Sequence, residues 1–176
     1  MMQQLNLDFS LVNAIRTPSL KAIEELRQLY AQLDLDIAAQ KPVCQTSGRC
    51  CQFEIWGHRL YISTLELAYF LHWTIRMPGT PDETQGHHGT IDFSLPLYKE
   101  NGDFVPGCPW QINTLCTARE GRPLGCRIYF CDTTTSDWQT ERYEYYHHKI
   151  CDLHRHFEIP YRYMEWRSAL AAIRPE

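Results

Sequence analysis

The sequence predicts a helix-rich α+β fold in which helices flank small β-hairpins and irregular, cysteine-rich loops. Apolar residues spaced three and four positions apart recur in both halves of the chain, which indicates amphipathic helices. Short alternating segments interrupted by Gly and Pro lie between these helices and contain most of the cysteines. At 176 residues, the chain is predicted to form a single domain covering residues 1–176.

The first amphipathic helix is predicted over residues 17–38. Thr17 is a suitable N-cap, and Pro18 suits the first helical position, where a missing N–H leaves no hydrogen bond unmade. The Lys41-Pro42 pair ends the pattern and leads directly into the first cysteines. The apolar positions of this helix form one stripe: Ile23, Leu26, Tyr30, Leu33 and Ile37.

The middle of the chain alternates between strand-like and helical patterns. Residues 53–62 predict a short hairpin or two brief strands around Gly57. Ser63 and Glu66 form a capping-box pattern, which predicts a helix over 64–75. Two further segments are predicted as a loop, 77–89, and as a tight turn between two short strands, 98–104.

A second long helix is predicted over residues 137–157. Ser136 and Gln139 match a capping box at its start, and Pro160 breaks the pattern after its end. A short helix carrying Tyr163, Trp166 and Leu170 is predicted to follow. The stripe of the long helix comprises Tyr143, Tyr146, Ile150, Leu153 and Phe157.

Composition narrows the classes of protein to which the chain can belong. Hydrophobic content is 44%, net charge is −4, and no basic stripe appears, so nucleic acid is not an expected partner. No segment has the roughly 18 apolar residues of a membrane span, and the N-terminus lacks an export signal. A cytoplasmic protein is expected.

Six of the eight cysteines fall into two groups, within residues 44–51 and 108–127. Thiols this dense are ordinary buried side chains, disulfides, or metal and redox ligands. In the cytoplasm thiols remain reduced, which favours metal ligands over disulfides. The two groups are predicted to meet at one centre, because neither supplies four well-spaced ligands alone. The candidate ligands are Cys44, Cys50, Cys51, Cys108, Cys116 and Cys126.

The spacing of the two groups follows two ordered motifs. A C-P…C…R-P-x-x-C-R pattern is matched at Cys108, Pro109, Cys116, Arg122, Pro123, Cys126 and Arg127. A C-x2-C-x2-C-C pattern is matched at Cys44, Cys50 and Cys51, with Ser47 in place of the second cysteine. In these features the chain resembles the CxxCxxCC (YkgJ-like) cysteine-cluster family, described as a zinc- or iron-chelating domain. The resemblance implies that the motif cysteines bind metal.

The arrangement of the thiols favours a [4Fe–4S] cluster, which also takes four cysteines but is larger, over Zn²⁺, which remains the alternative as a mononuclear site or as a binuclear site that shares thiolates. Six motif thiols exceed the four that one tetrahedral Zn²⁺ takes, whereas a cluster is larger and accepts ligands from several loops. Neighbouring side chains such as Cys50 and Cys51 diverge, which also suits a larger group. Arg122 and Arg127 are expected to offset the negative charge of the thiolates and to donate hydrogen bonds to sulfur.

Two further cysteines are candidate replacements for the ligand missing at Ser47. Cys131 follows closely after Cys126, whereas Cys151 lies in the long C-terminal helix with His147 and His154 on the same face. Each cysteine is either a ligand or a small buried hydrophobic residue. The helix face is either a second metal site or simply half-exposed.

No catalytic motif is recognisable, so enzymatic activity is left open. Glu54, Glu66 and Asp132 lie near cysteines but have no partner that the sequence identifies. Three functions fit: an iron–sulfur protein that transfers electrons to, or supports, a partner enzyme; a structural zinc module that binds another protein; or a metal storage or delivery protein. A protein partner of unknown identity is expected.

Overall fold

The computed structural model describes residues 5–42, 47–74 and 106–173. Cys44, the loop predicted at 77–89 and the turn predicted at 98–104 lie outside these ranges. The described residues form a helix-rich α+β fold with small antiparallel sheets, as predicted. Its helices are α1 (Phe9–Arg16), α2 (Leu20–Gln40), α3 (Phe53–Trp56), α4 (Thr64–Thr74), α5 (Leu124–Ile128), α6 (Ser136–His156) and α7 (Trp166–Ala172). Strand β1 (Tyr61–Ser63) pairs with β4 (Tyr163–Glu165), and β2 (Gln111–Ile112) pairs with β3 (Leu115–Cys116).

The first predicted amphipathic helix is confirmed as α2, although it begins three residues later than predicted. Ser19 is the N-cap, since its hydroxyl oxygen accepts a hydrogen bond from the Ala22 N–H at 3.4 Å. The helix ends at Lys41, which adopts the left-handed conformation. The predicted stripe faces the interior: Ile23, Leu26, Tyr30 and Leu33 are buried, and Ile37 packs against them partly buried.

Helix α1 was not predicted from the sequence. Asp8 caps it by accepting a hydrogen bond from the Leu11 N–H at 2.9 Å. Thr17, predicted as the cap of the next helix, instead ends α1. Pro18 explains the break, because a residue that precedes proline disfavours the helical conformation.

Of the short hairpin or two brief strands predicted over residues 53–62, the first strand is wrong, whereas the second overlaps β1. Residues Phe53–Trp56 form the short helix α3, which ends at Gly57 in the left-handed conformation. Strand β1 follows, but its partner β4 comes from the far end of the chain, with Tyr61 opposite Glu165. The prediction at the next helix is confirmed: the Ser63 N–H donates to Glu66 at 2.8 Å, and the Glu66 N–H donates to the Ser63 hydroxyl at 3.4 Å. This is a capping box at the start of α4.

Helix α6 confirms the second long amphipathic pattern, but the capping box predicted at its start is wrong. The Gln139 amide points back to the preceding loop and donates to the Asp132 carbonyl and to the Thr135 hydroxyl, both at 3.0 Å. This glutamine therefore secures the chain just after Cys131. Tyr146 and Ile150 are buried, and the other stripe positions, Tyr143, Leu153 and Phe157, pack against them.

The last predicted helix begins later than expected. Tyr163 lies in strand β4, and helix α7 begins only at Trp166. Glu165 caps α7 by accepting a hydrogen bond from the Ser168 N–H at 2.8 Å. Pairing with β1 extends the backbone of residues 163–165 and so delays the helix.

Two apolar clusters form the core, and α4 contributes to both. Leu65, Ala68 and Tyr69 pack with α2, α5 and α6, whereas Leu67 and Phe70 pack with α1 and α7. Cys108, Cys116 and Cys126 lie at the edge of the second cluster, partly buried. Within the described ranges, every helix is either too short or too polar to cross a lipid bilayer.

Candidate metal centre

The first cysteine group is held by a tight contact with the second at Gly48. The Gly48 carbonyl accepts a hydrogen bond from the Gln111 side chain at 2.9 Å. A Cβ on Gly48 would lie 2.2 Å from the nitrogen of that amide, and φ is +69°. A side chain at this position would be strained at this φ and would displace the Gln111 amide. Residues Arg49–Cys51 then form a 3₁₀ turn that carries two thiols.

A second contact joins the main chains of the two groups directly. The Cys108 N–H donates to the Cys51 carbonyl at 2.7 Å. Gly107 has φ of +81°, and an added Cβ would lie 3.0 Å from the same carbonyl oxygen. The Gly107 N–H donates to the Glu54 carboxylate at 2.8 Å, and Glu54 also forms an ion pair with Arg167. The two cysteine motifs are therefore bonded to one another independently of their thiols.

The remaining motif cysteines come from the β2–β3 hairpin and from α5. Cys116 ends β3, and Cys126 lies in α5, which begins after Pro123. Glu66 fixes the start of α5, because its buried carboxylate accepts a hydrogen bond from the Leu124 N–H at 2.9 Å. The same carboxylate accepts one from the Tyr30 hydroxyl at 3.0 Å.

These contacts bring five of the six motif thiols to one small cavity of about 40 Å³. The sequence predicted that the two cysteine groups meet at one centre, and the lining of this cavity includes thiols from both groups. That these thiols bind a metal stays a prediction. The sulfurs of Cys50 and Cys51 lie 3.9 Å apart. The thiols that line the cavity belong to Cys50, Cys51, Cys108, Cys116 and Cys126.

The thiols converge without forming a complete ligand set. In the part of the chain that the structure describes, no three Cys, His, Asp or Glu side chains are arranged to hold one metal ion. Cys44, which belongs to the first motif, lies outside that part. The cavity therefore brings soft donors together, and side-chain rotation would have to complete any coordination.

Burial and mutual hydrogen bonding oppose ionisation of these thiols. The hydrogen bond to Cys108 raises the pKa of Cys51 to about 12. The hydrogen bond with Cys51 raises the pKa of Cys50, and burial raises the pKa of Cys126 and of Cys116. Thiolates are the form of cysteine that binds metal. A bound cation would therefore have to stabilise the thiolate form, which the surrounding protein disfavours.

Arg122 is the positive charge beside the thiols. It lines the cavity, where its guanidinium donates to the carbonyls of Arg119 at 3.0 Å and Cys126 at 3.4 Å. Burial lowers the pKa of Arg122. Negative charge on Cys116 and Cys126 would raise that pKa and so offset the effect of burial. The expectation that Arg122 balances thiolate charge is consistent with this position.

Arg127 lies elsewhere than the sequence predicted. It is not among the residues that line the cavity; its guanidinium pairs with Asp34 at 2.9 Å and donates to the Glu120 carbonyl at 2.6 Å. The same group stacks over the Tyr30 ring at 4.3 Å. Successive side chains of α5 point in different directions, so Arg127 points away from Cys126 and towards α2. Its ion pair with Asp34 joins the two helices.

A cluster of aromatic side chains forms part of the cavity lining. Phe70 packs edge-on against Trp110 at 4.8 Å and against Trp166 at 4.6 Å, measured between ring centres. All three line the cavity. The indole N–H of Trp166 is buried and has no acceptor among the described residues.

Cys131 and Cys151 occupy different surroundings. The Cys131 sulfur lies 3.4 Å from the Ser47 hydroxyl, at the position where the family motif has a cysteine. Cys151 lies near Tyr161 and does not line this cavity. Of the two, Cys131 is therefore the one that lies beside the position of the missing cysteine, although it lines a second, adjoining cavity and not the thiol cavity itself.

We expect Cys131→Ser to weaken metal binding by about tenfold, the lower end of the effect of altering a group beside a metal site. The matched control is Cys151→Ser, which removes a half-buried thiol outside the cavities. Metal content of the two variants after equal dialysis against a chelator measures the effect. Equal metal content in both would show that Cys131 is a packing residue.

The histidines on α6 act as structural groups. His154 is buried; its Nδ1–H donates to the Ile159 carbonyl at 3.1 Å, and its Nε2 accepts from the Leu65 N–H at 3.3 Å. Both ring nitrogens are thus occupied, which favours the interpretation without metal. His147 bonds to the Tyr161 hydroxyl at 2.9 Å.

We expect His154 to make stability depend on pH. Burial lowers the pKa of His154 below its usual value of 6.5, so the unfolded chain binds the proton more tightly. Its contribution is complete above pH 6.5 and is lost as pH falls towards the folded-state pKa, by up to about 1.4 kcal/mol per pH unit. Urea unfolding of wild type and His154→Gln at pH 7 and pH 5 tests this. An equal loss of stability in both proteins would contradict it.

Sequence reasoning missed the partners of the acidic residues near the cysteines. Glu54 supports Gly107, Glu66 supports α5, and Asp132 accepts a hydrogen bond from the Thr134 N–H at 3.0 Å. The capping-box pattern identified Glu66 as a helix-start residue only. No local signal indicates its second set of partners, which come from distant segments.

Comparison of the chain with protein-family models, with curated proteins and with solved structures found no match. The resemblance to the cysteine-cluster family therefore depends on the motifs themselves.

Proposed function

We propose that the chain is a cytoplasmic member of the CxxCxxCC family that holds a [4Fe–4S] cluster and transfers electrons to, or otherwise supports, a partner enzyme. The observation that carries the proposal is the convergence of five motif thiols, from three separate segments, on one cavity. Cys44 belongs to the same motif as Cys50 and Cys51 and would be the sixth. A bound cluster would supply one-electron chemistry.

The chemistry of the donor set fits such a group. Soft thiolates select zinc, Cu(I) and iron–sulfur clusters over harder metals. A tetrahedral zinc ion and a [4Fe–4S] cluster each take four thiolates, but the cluster is larger and so accepts ligands from several separate segments. Four of the five thiols, Cys51, Cys108, Cys116 and Cys126, are at least partly buried.

Groups around the thiols also suit a negatively charged centre. Arg122 supplies a half-buried positive charge, and the Trp166 N–H needs an acceptor, for which sulfur would serve. Phe70, Trp110 and Trp166 line the same cavity and would exclude water from the centre. Exclusion of solvent and hydrogen bonds to sulfur are two means by which proteins set the reduction potential of a cluster.

The state of the cysteines supports a reducing compartment. The seven cysteines within the described ranges are all free thiols. Free thiols at this density are typical of cytoplasmic proteins. A net charge of −4 argues against nucleic acid as the partner, so the partner is proposed to be a protein.

The size of the cavity favours a second candidate, a zinc site. A volume of about 40 Å³ is closer to the size of a single ion than to that of a cluster, although for either group the thiol side chains would have to rotate to complete the coordination. A zinc ion there would hold the loops of a protein-binding module, or be stored or delivered.

Elemental analysis of protein purified without oxygen distinguishes the candidates. The proposal predicts brown protein with about four iron atoms and four acid-labile sulfides per chain. Colourless protein with about one zinc per chain would contradict the cluster and support the zinc site. Protein that contains neither metal, even after reconstitution, would contradict both.

A further inference from the structure

A second, larger cavity of about 620 Å³ lies next to the thiols. Its wall is formed by the chain from Arg49 to Tyr61, by α5 and the residues that follow it, and by side chains from α6 and β4. Small-molecule sites in proteins commonly have volumes of about 300–1,000 Å³. The cavity is therefore large enough for a ligand with one or two rings.

Four tyrosines, arranged as two stacked pairs, line this cavity. Tyr129 stacks on Tyr143 with ring centres 5.3 Å apart, and Tyr61 stacks on Tyr163 at 5.5 Å. A hydrogen bond between the Tyr143 and Tyr163 hydroxyls joins the two pairs. Because aromatic rings pack well against other flat rings, this surface favours a planar ligand.

The charged residues of the cavity all have the same sign. Arg49 and Arg59 contribute to its lining, whereas no Asp or Glu is found among the described residues that line it. The Arg49 guanidinium stacks on the Trp56 ring at 4.2 Å, which leaves the N–H groups at its edge free of the ring. Guanidinium groups bind carboxylate and phosphate in this way, through paired hydrogen bonds.

The two cavities share Cys50 and Cys126, which lie in the lining of both. We infer that the larger cavity binds a planar aromatic molecule that carries an anionic group, a phosphate or a carboxylate, directly beside the thiol centre. The tyrosines stack on the ring, and the arginines bind the anion. None of these contacts requires a metal, so the inference stands or falls separately from the proposed function.

Calorimetric titration with adenosine 5′-monophosphate tests the inference on the reduced full-length protein, with and without reconstituted metal. Adenosine provides the ring without the charge, and ribose 5-phosphate provides the charge without the ring. The monophosphate is expected to bind at least about tenfold more tightly than either fragment, since both sets of contacts are needed. Indole-3-acetate, titrated in parallel, distinguishes a carboxylate ligand from a phosphate ligand.

Matched variants locate the binding. Arg59→Glu is expected to weaken binding of the tighter anion by at least about tenfold, while Arg142→Glu, on α6 outside the lining, changes it less than about twofold. Tyr129→Ala, compared with Tyr145→Ala, tests the stacked tyrosines in the same way. All four side chains are at least partly exposed, so folding is expected to persist and is checked by circular dichroism.

Three results would overturn the inference: no binding of either anion, equal binding of adenosine and its monophosphate, or binding that Arg59→Glu leaves unchanged. Metal-loaded protein that binds neither anion would leave the proposed function intact. Metal-free protein that binds them would support the cavity even if the cluster proposal failed.

Discussion

Cys126→Ser is expected to abolish stoichiometric metal binding, with metal content more than about tenfold below wild type after chelator dialysis. Cys126 lines both cavities, and Cys50, Cys51 and Cys116 lie close enough to act on it electrostatically. Serine is nearly isosteric but does not ionise to a soft ligand. Cys151→Ser is the control, because its sulfur lies outside both cavities.

The same variant shows whether metal orders the loops. Helices α2 and α6 bury their own apolar stripes, so helical circular dichroism is expected to persist. Residues 47–52 and 106–123 contain few periodic apolar positions, so limited proteolysis is expected to increase there, because metal–thiolate bonds contribute to their folding. If both loops stay protected in metal-free protein, metal binds to a preformed site, and storage or delivery becomes the better interpretation.

Glu66→Ala is expected to destabilise the fold by about 3 kcal/mol. The buried carboxylate accepts hydrogen bonds from the Tyr30 hydroxyl and from the N–H groups of Ser63 and Leu124. Alanine leaves all three donors without an acceptor. Urea unfolding measures the loss, and hydrogen exchange at Leu124 is expected to accelerate.

Two further variants sharpen this test. Glu66→Gln retains one acceptor oxygen, so its loss of stability is expected to be smaller than that of alanine. Glu141→Ala removes an exposed carboxylate of α6 and is expected to leave the unfolding midpoint unchanged. A loss of less than about 1 kcal/mol in Glu66→Ala would contradict the role assigned to this carboxylate. Lower metal content in Glu66→Ala would further show that it positions Cys126 through α5.

Local patterns were sufficient for the elements that local interactions create. The stripes of α2 and α6 follow from apolar spacing, and the Ser63–Glu66 capping box lies within four residues. A pattern compatible with two sets of hydrogen bonds led to a wrong prediction. The Gln139 side chain bonds to the loop that precedes α6 and does not cap the helix. A side chain with several possible partners cannot be assigned from spacing alone.

By itself, the sequence determined the helix-rich α+β class, the two long helices and the grouping of the cysteines, because each follows from residues close together in the chain. Only the tertiary structure decided the pairing of β1 with β4, the position of Cys131 beside Ser47, the turn of Arg127 towards Asp34, and the tyrosine-lined cavity beside the thiols. Each of these joins segments that are distant in the chain. Such contacts depend on how well whole elements pack against one another, and the spacing of apolar residues along the chain does not predict this packing.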